Sequence, residues 1–178
     1  MNISVNTPIT RCPHCGGESL SWPSAKNFEC DACGFVLYLN TAAAVAVIME
    51  CRGNILFGVR KHEPERGKLD LPGGFADPGE SAEEAVRREL KEELGIDVHE
   101  MRYLFSYSNK YPYRGMVYDT LALIFLVQWD EMPEIRAADD LEEVIWVRSD
   151  AVEYERIGFD SLRRAVRRYL EMPLSLPL

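Results

Sequence analysis

Little in the sequence would hold the chain at a membrane or along a polyanion. The apolar run at residues 42–49 is far too short to span a bilayer. Residues 1–11 lack the apolar stretch of a secretory leader. Lys and Arg number 20 against 29 Asp and Glu, a net charge of −9. That shortage of positive charge argues against wide contact with nucleic acid or anionic lipid, while leaving room for a local basic cleft. Internal repeats, low-complexity segments and long linkers are missing as well. These absences predict a cytoplasmic protein with no membrane partner.

What is present suffices for a packed core. With 178 residues, 47% of them apolar and 28% charged, the chain fits one soluble domain, or one domain with a small module. Four of its five cysteines fall in two pairs, Cys12 with Cys15 and Cys30 with Cys33, separated by 14 residues. Two C-x-x-C knuckles so spaced are the pattern of a four-thiolate structural Zn²⁺ site, and the glycine after each pair (Gly16, Gly34) suits the tight turn such a knuckle makes. Disulfides are the alternative, disfavoured in a cytoplasmic chain. His14 lies inside a knuckle and reads as a spectator, and Cys51 as a small buried apolar residue. Beyond the knuckles, residues 1–40 hold few apolar side chains, so the metal would supply the folding energy. Residues 35–39 read as a strand leaving the second knuckle.

From residue 42 the pattern changes. Strands are expected at 42–49, 55–60, 69–71, 98–108, 117–129 and 144–147. Loops are expected at 61–68, at 109–115 around Pro112, and at the acidic stretch 132–140. A helix is expected over 159–171, with Leu162, Val166, Tyr169 and Leu170 on one side and Arg163, Arg164, Arg167 and Arg168 opposite. Many strands with two helices among and after them predict an α/β layered domain with a mixed sheet.

The densest chemistry lies at residues 74–96. Pro78 and Gly79 mark a loop. Ser81 then caps a helix, with Glu84 three residues later completing a capping box, and Gly95 stands where such a helix ends. Ala82, Val86 and Leu90 form an apolar ridge. Glu89, Glu92 and Glu93, at i, i+3 and i+4, share a face and repel one another. A cation among them removes that cost, and hard oxygen ligands select Mg²⁺ or Mn²⁺. The preceding Leu71, Pro72, Gly73 and Gly74 bring bare backbone close. The stretch suggests a metal site for phosphate chemistry.

The fixed positions Gly74, Glu80, Arg88, Glu89, Glu92, Glu93 and Gly95, with Leu90 and Ile96 as aliphatics, match the signature of the Nudix hydrolases, which the chain resembles. The resemblance implies a Nudix-type α/β/α sandwich over residues 41–178, preceded by a small zinc ribbon at 1–40. It implies Mg²⁺ or Mn²⁺ held by Glu89 and Glu93, assisted by Glu92 and a backbone carbonyl at Gly73. Arg88 would orient a carboxylate and Glu80 support the loop. An acid from beyond the box is also implied. Asp140 stands six residues before Trp146, where zinc-ribbon members that cleave NADH carry Glu, and Glu143 is its rival.

The ribbon before the Nudix domain is similar to that NADH pyrophosphatase group, whose Ser-Gln-Pro-Trp motif agrees here clearly only at Ser106. In residues 106–114, Tyr107, Tyr111 and Tyr113 can stack on a base, while Lys110 and Arg114 can meet phosphate. The expected activity is hydrolysis of the pyrophosphate bond in a small nucleoside diphosphate derivative of the NADH or ADP-ribose type. Removal of nucleotide caps from RNA and non-catalytic nucleotide sensing are the alternatives. The ribbon is equally a candidate dimerisation element, giving a homodimer.

Overall fold

Strand pairing organises the chain. The structure, a computed structural model, describes residues 9–135 and 137–172. Most of the stretch read for a leader, residues 1–8, lies outside the described residues. The chain divides into two compact units, Met1–Thr41 with Lys110–Asp119, and Ala42–Asn109 with Thr120–Leu178.

In the first unit β1 (Leu20–Ser24), β2 (Asn27–Cys30) and β3 (Val36–Tyr38) form an antiparallel sheet in that order. Only β3 was expected from the sequence. Buried Phe28 is the centre of this unit, with Trp22 at 5.3 Å and Phe35 at 6.5 Å between ring centroids. The two knuckles fold alike: Gly16 N–H returns to Cys12 O (2.9 Å) and Gly34 N–H to Cys30 O (2.8 Å).

The second unit carries β4 (Ala42–Cys51), β5 (Asn54–Arg60), β6 (Leu69–Asp70), α1 (Ala82–Leu94), β9 (Leu141–Arg148) and α2 (Asp160–Glu171). It shares β7 (Arg102–Tyr113) and β8 (Met116–Trp129) with the first. The six-stranded sheet has the order β6-β5-β4-β8-β7, with β9 also on β5. It is mixed: β4 and β8 run parallel, while β5 is antiparallel to β4, β6 and β9. Strand alternation splits the core in two. Val45, Val47, Met49, Leu56, Phe125 and Val127 face Ala85, Val86, Leu90 and Leu94 of α1. Ile48, Ile55, Phe57, Ile124 and Leu126 face Leu162, Ala165 and Val166 of α2. The result is the expected α/β/α sandwich. Among the described residues no helix is long and apolar enough to cross a membrane.

One expectation is corrected. Residues 109–115 are not a loop: β7 continues through Tyr113, and the hairpin turns at Arg114 and Gly115, both at positive φ (46° and 82°), the pairing that suits strand twist. Pro112 is tolerated because β7 ends the strand order, and an edge strand need not donate on both sides. The expected strand at 98–108 begins late, at Arg102, and that at 144–147 is longer, beginning at Leu141.

Candidate active site

The helix α1 forms as its caps dictate. Ser81 accepts from Glu84 N–H while Glu84 accepts from Ser81 N–H, and Gly95 closes the helix in the left-handed region at φ 72°. The loop before it lies along β4. Val47 N–H donates to Pro72 O (2.8 Å), Val45 N–H to Gly74 O (2.8 Å) and Ala76 N–H to Ala43 O (3.1 Å). A Cβ on Gly73 would collide with the Val45 carbonyl and stand 2.9 Å from Ala46 Cα, at a φ of 141°. A Cβ on Gly74 would press on the Glu89 carboxylate, with Cδ at 2.7 Å. The bare backbone is thus wedged between a strand on one side and the Glu89 carboxylate on the other.

Arg88 is the hub. Its Nε and Nη2 donate to Glu80 (2.8 and 3.0 Å), its Nη1 to Glu89 (2.8 Å) and Glu92 (3.1 Å), and Nη2 also to Phe75 O (2.9 Å). Asp77 stands 3.7 Å away. The Arg88 hydrogen bonds, with one from Asp77 N–H, hold the Glu80 carboxyl below the usual carboxylate range. Glu89 goes the other way: burial pushes its carboxyl up, against Arg88 and with help from the charges of Glu92 and Asp139.

Glu93 is strongly perturbed. It is 5% exposed, and its Oε2 accepts from Gly73 N–H at 2.9 Å. Burial pushes it up to about 9, opposed by the Gly73 bond and reinforced by the charges of Glu89, Asp70 and Asp140. A buried carboxyl without a counter-charge behaves this way, and a bound cation would restore the ionised form.

The donor set, carboxylates with a backbone carbonyl beside them, suits a hard divalent cation. Arg88 nonetheless draws Glu89 and Glu92 toward itself. Among the described residues the one group of three or more His, Cys, Asp or Glu side chains gathered closely enough to hold an ion is the four cysteines.

The acidic segment 138–140 is tied to both sides of this region. Ala138 N–H donates to Glu93 O (2.8 Å), Lys61 N–H to Asp140 O (3.0 Å) and Lys61 Nζ to Asp139 O (3.3 Å). The Asp140 carboxylate is 73% exposed, 3.9 Å from His62 Nε2. Glu143 pairs with Val59, and the neighbours Ile145 and Val147 pack with Val59 on the α2 side.

Two acids escaped the sequence reading. Asp139 adjoins Asp140, and only its left-handed φ of 50° and its influence on Glu89 set it apart. Asp70 is buried against Arg60. An acid at the end of a short strand, ten residues from an arginine, was its one signal.

The cysteines are gathered. All four Sγ atoms lie within 4.8 Å of one another, with Cys12 and Cys33 at 3.8 Å and Cys15 and Cys30 at 3.6 Å. Four thiolates about 2.3 Å from a tetrahedral Zn²⁺ lie about 3.8 Å apart, so the residues fit that ion.

The residues expected to bind substrate fall in both units. Tyr107 packs on the α2 side of the sheet, edge-on to Phe105 at 5.6 Å, with the Arg164 guanidinium 4.7 Å over its ring. Lys110, Tyr111 and Arg114 lie on the hairpin tip of the first unit. There Lys110 pairs with Asp119, the Tyr111 and Tyr113 rings sit 6.2 Å apart, and Arg114 lies 5.3 Å over Tyr113.

Comparison with known proteins bears on this geometry. The profile of the NUDIX domain family matches residues 39–169. The chain is 32% identical over 142 residues to an NAD-capped RNA hydrolase NudC from Chromobacterium violaceum, covering 79% of this chain and 51% of that one. It is 38% identical over 109 residues to an ADP-ribose pyrophosphatase from Methanocaldococcus jannaschii, covering 60% and 62%. The chain thus spans about half the length of the NudC relatives it matches. A NUDIX hydrolase crystal structure from Nitrosomonas europaea superposes with a TM-score of 0.70 over 92% of this chain and 91% of that one, at 23% identity, a likeness of fold. With the profile spanning most of the sequence and the signature residues gathered around Arg88, the chain belongs to the NUDIX domain family.

Proposed function

We propose that the protein hydrolyses the pyrophosphate bond of a small nucleoside diphosphate-linked compound of the NADH, NAD⁺ or ADP-ribose type, using Mg²⁺ or Mn²⁺. The observation that carries this reading is the carboxylate cluster around Arg88, beside a buried Glu93 that has no ion-pair partner among the described residues. Glu89, Glu92, Glu93 and the Gly73 carbonyl would hold the cation, with Asp140 completing the set. The placement of Glu143 on the Val59 side of β9 favours Asp140 over it. When bound, such a cation neutralises diphosphate charge and acidifies a water. The chain supplies the rest. Arg88 holds Glu80, Glu89 and Glu92 in one place, Gly73 N–H fixes the Glu93 carboxylate, and Gly73 and Gly74 let backbone approach the diphosphate. Tyr111, Lys110 and Arg114 are offered to the substrate, with Tyr107 beneath Arg164 behind them in sequence.

The same reading takes residues 1–40 as a ribbon on structural Zn²⁺ and residues 41–178 as the hydrolase domain. It places the protein in the cytoplasm, with the ribbon equally a candidate dimerisation element. Hydrolysis of a nucleotide cap on RNA is a second reading, favoured by the similarity to a relative named for NAD-capped RNA. Turnover of NADH, NAD⁺, ADP-ribose and NAD-capped RNA with Mg²⁺ or Mn²⁺, scored by chromatography for the nucleoside monophosphate, tests both. No product from any of them refutes the hydrolase reading.

A further inference from the structure

The arginines of α2 have no part in the site. Arg163, Arg164, Arg167 and Arg168 fall within six residues of an acidic chain, opposite the apolar side of the helix. The structure lays three of them on aromatic rings. Arg164 lies 4.7 Å over Tyr107, Arg168 4.4 Å over Phe105 and Arg167 4.7 Å over Tyr154. Arg164 also donates to Ser108 O at 3.2 Å. Phe105 and Tyr107 belong to the strand at the open edge of the sheet. Arg164 and Arg168, about 6 Å apart along the helix axis, therefore lie across the seam between α2 and β7.

Arg164 has Asp160 at 2.9 Å and Arg163 has Glu155 at 3.9 Å. Among the described residues neither Arg167 nor Arg168 has a carboxylate within ion-pair distance. A guanidinium laid on a ring has its rotamer already fixed, and its flat face is used while its edge N–H groups stay outward. Arg164 already gives Nε to Asp160 and Nη2 to Ser108 O, so an anion meets the forks of Arg167 and Arg168 and the remaining N–H edge of Arg164, and gains charge-assisted hydrogen bonds at low ordering cost. The rings beneath are covered, so the surface offers phosphate contacts and no base stacking, which makes it indifferent to sequence. A lipid surface fits less well, because Leu162, Ala165 and Val166 of α2 are buried in the core and leave nothing to insert.

We propose that the outer face of α2, with Arg164 and Arg168 laid on rings of β7 and Arg167 on Tyr154, binds the phosphodiester backbone of single-stranded RNA. For the identity of the strand the proposal rests on the capped-RNA reading; the binding does not need turnover.

The test is fluorescence anisotropy of a labelled, uncapped single-stranded RNA with the full chain over a series of salt concentrations. The wild type is expected to bind with a log K against log salt slope of about −2, from three contacts at about 0.7 each. The pair Arg167→Gln and Arg168→Gln is expected to lose at least about tenfold in affinity at low salt and about 1.4 of that slope. The pair Arg167→Lys and Arg168→Lys, which keeps the charge, is expected to recover most of the affinity. Thermal melting of each variant confirms folding, and ADP-ribose turnover is expected to be unchanged. The proposal is overturned if the wild type shows no salt-dependent RNA binding, if it binds vesicles of anionic lipid but not RNA, or if the glutamine pair binds RNA like the wild type. A chain that binds RNA through these arginines yet cleaves no cap refutes the capped-RNA reading alone.

Discussion

Gly73 donates its backbone N–H to the Glu93 carboxylate at 2.9 Å, and this one bond joins the bare loop before α1 to the buried acid near the helix's end. The bond favours the ionised carboxylate, but burial outweighs it and pushes the Glu93 carboxyl up to about 9. A carboxyl whose value is raised on folding binds its proton more tightly in the native state. Its contribution to stability is therefore full below about pH 4.5 and is lost as the pH climbs to about 9. Glu89 and Asp70, both raised by burial, act in the same direction.

The metal-free protein should accordingly lose melting temperature as pH rises from 6 to 9, by more than about 4 °C, since each kcal/mol is worth about 2–4 °C at this size. Mg²⁺ should restore more of it at pH 8.5 than at pH 6, and Glu93→Gln should flatten the profile. Calorimetric melting at several pH values, with chelator and with Mg²⁺, reads all three. A pH-independent melting temperature in chelator would show that Glu93 ionises without cost.

The two loop glycines should fail differently. Gly73→Ala drives a Cβ into the β4 backbone at a φ that alanine avoids, a cost of about 3 kcal/mol or more. Gly74→Ala meets only the end of the Glu89 side chain, which can swing aside. It should melt close to wild type while losing turnover, because Glu89 has moved. Melting and turnover measured together separate the two; equal stability loss at both positions contradicts the contrast.

Protein purified without added metal should carry one zinc per chain, held by Cys12, Cys15, Cys30 and Cys33, and Cys15→Ser should lower that content sharply. Elemental analysis decides. A zinc content near zero in folded protein would show that the four thiols close the ribbon unaided.

Tyr107 and Tyr111 should also part company. Tyr107→Ala removes a ring packed between Phe105 and Arg164 and should cost about 2 kcal/mol of stability. Tyr111→Ala should melt near wild type and lower kcat/KM on the best dinucleotide by about ten- to a hundred-fold, the worth of about 1–3 kcal/mol of stacking. Melting curves and steady-state kinetics on both variants check this; unchanged kcat/KM for Tyr111→Ala would place selectivity elsewhere.

Much of this was legible in the sequence because its signals are local. Ser81, Glu84 and Gly95 bound α1 by bonds that close within a few residues, and the cysteine spacing alone predicted the gathered thiols. The carboxylate face of α1 was legible too, but not that Arg88 would draw Glu89 and Glu92 to itself, since that depends on rotamers. The hairpin was misread because Pro112 signals a loop, and only the sheet order shows that it sits on an edge strand where proline is tolerated. The sequence offers Tyr107 to a ligand. That Arg164, 57 residues later in a separate helix, would cover it is a long-range fact no local pattern holds. Asp70 was missed for the same reason: its burial comes from tertiary packing around Arg60.

The most direct test of the account is single-substrate turnover of ADP-ribose and of NADH with saturating Mg²⁺, comparing wild type with Glu93→Gln. The substitution keeps the shape of the side chain and its place beside Gly73 but removes a charge the cation needs. Wild type is expected to release a nucleoside monophosphate from at least one substrate, and the variant to fall about a hundredfold or more with its melting temperature preserved. Near-normal turnover by folded Glu93→Gln would mean that the chemistry lies outside this carboxylate cluster.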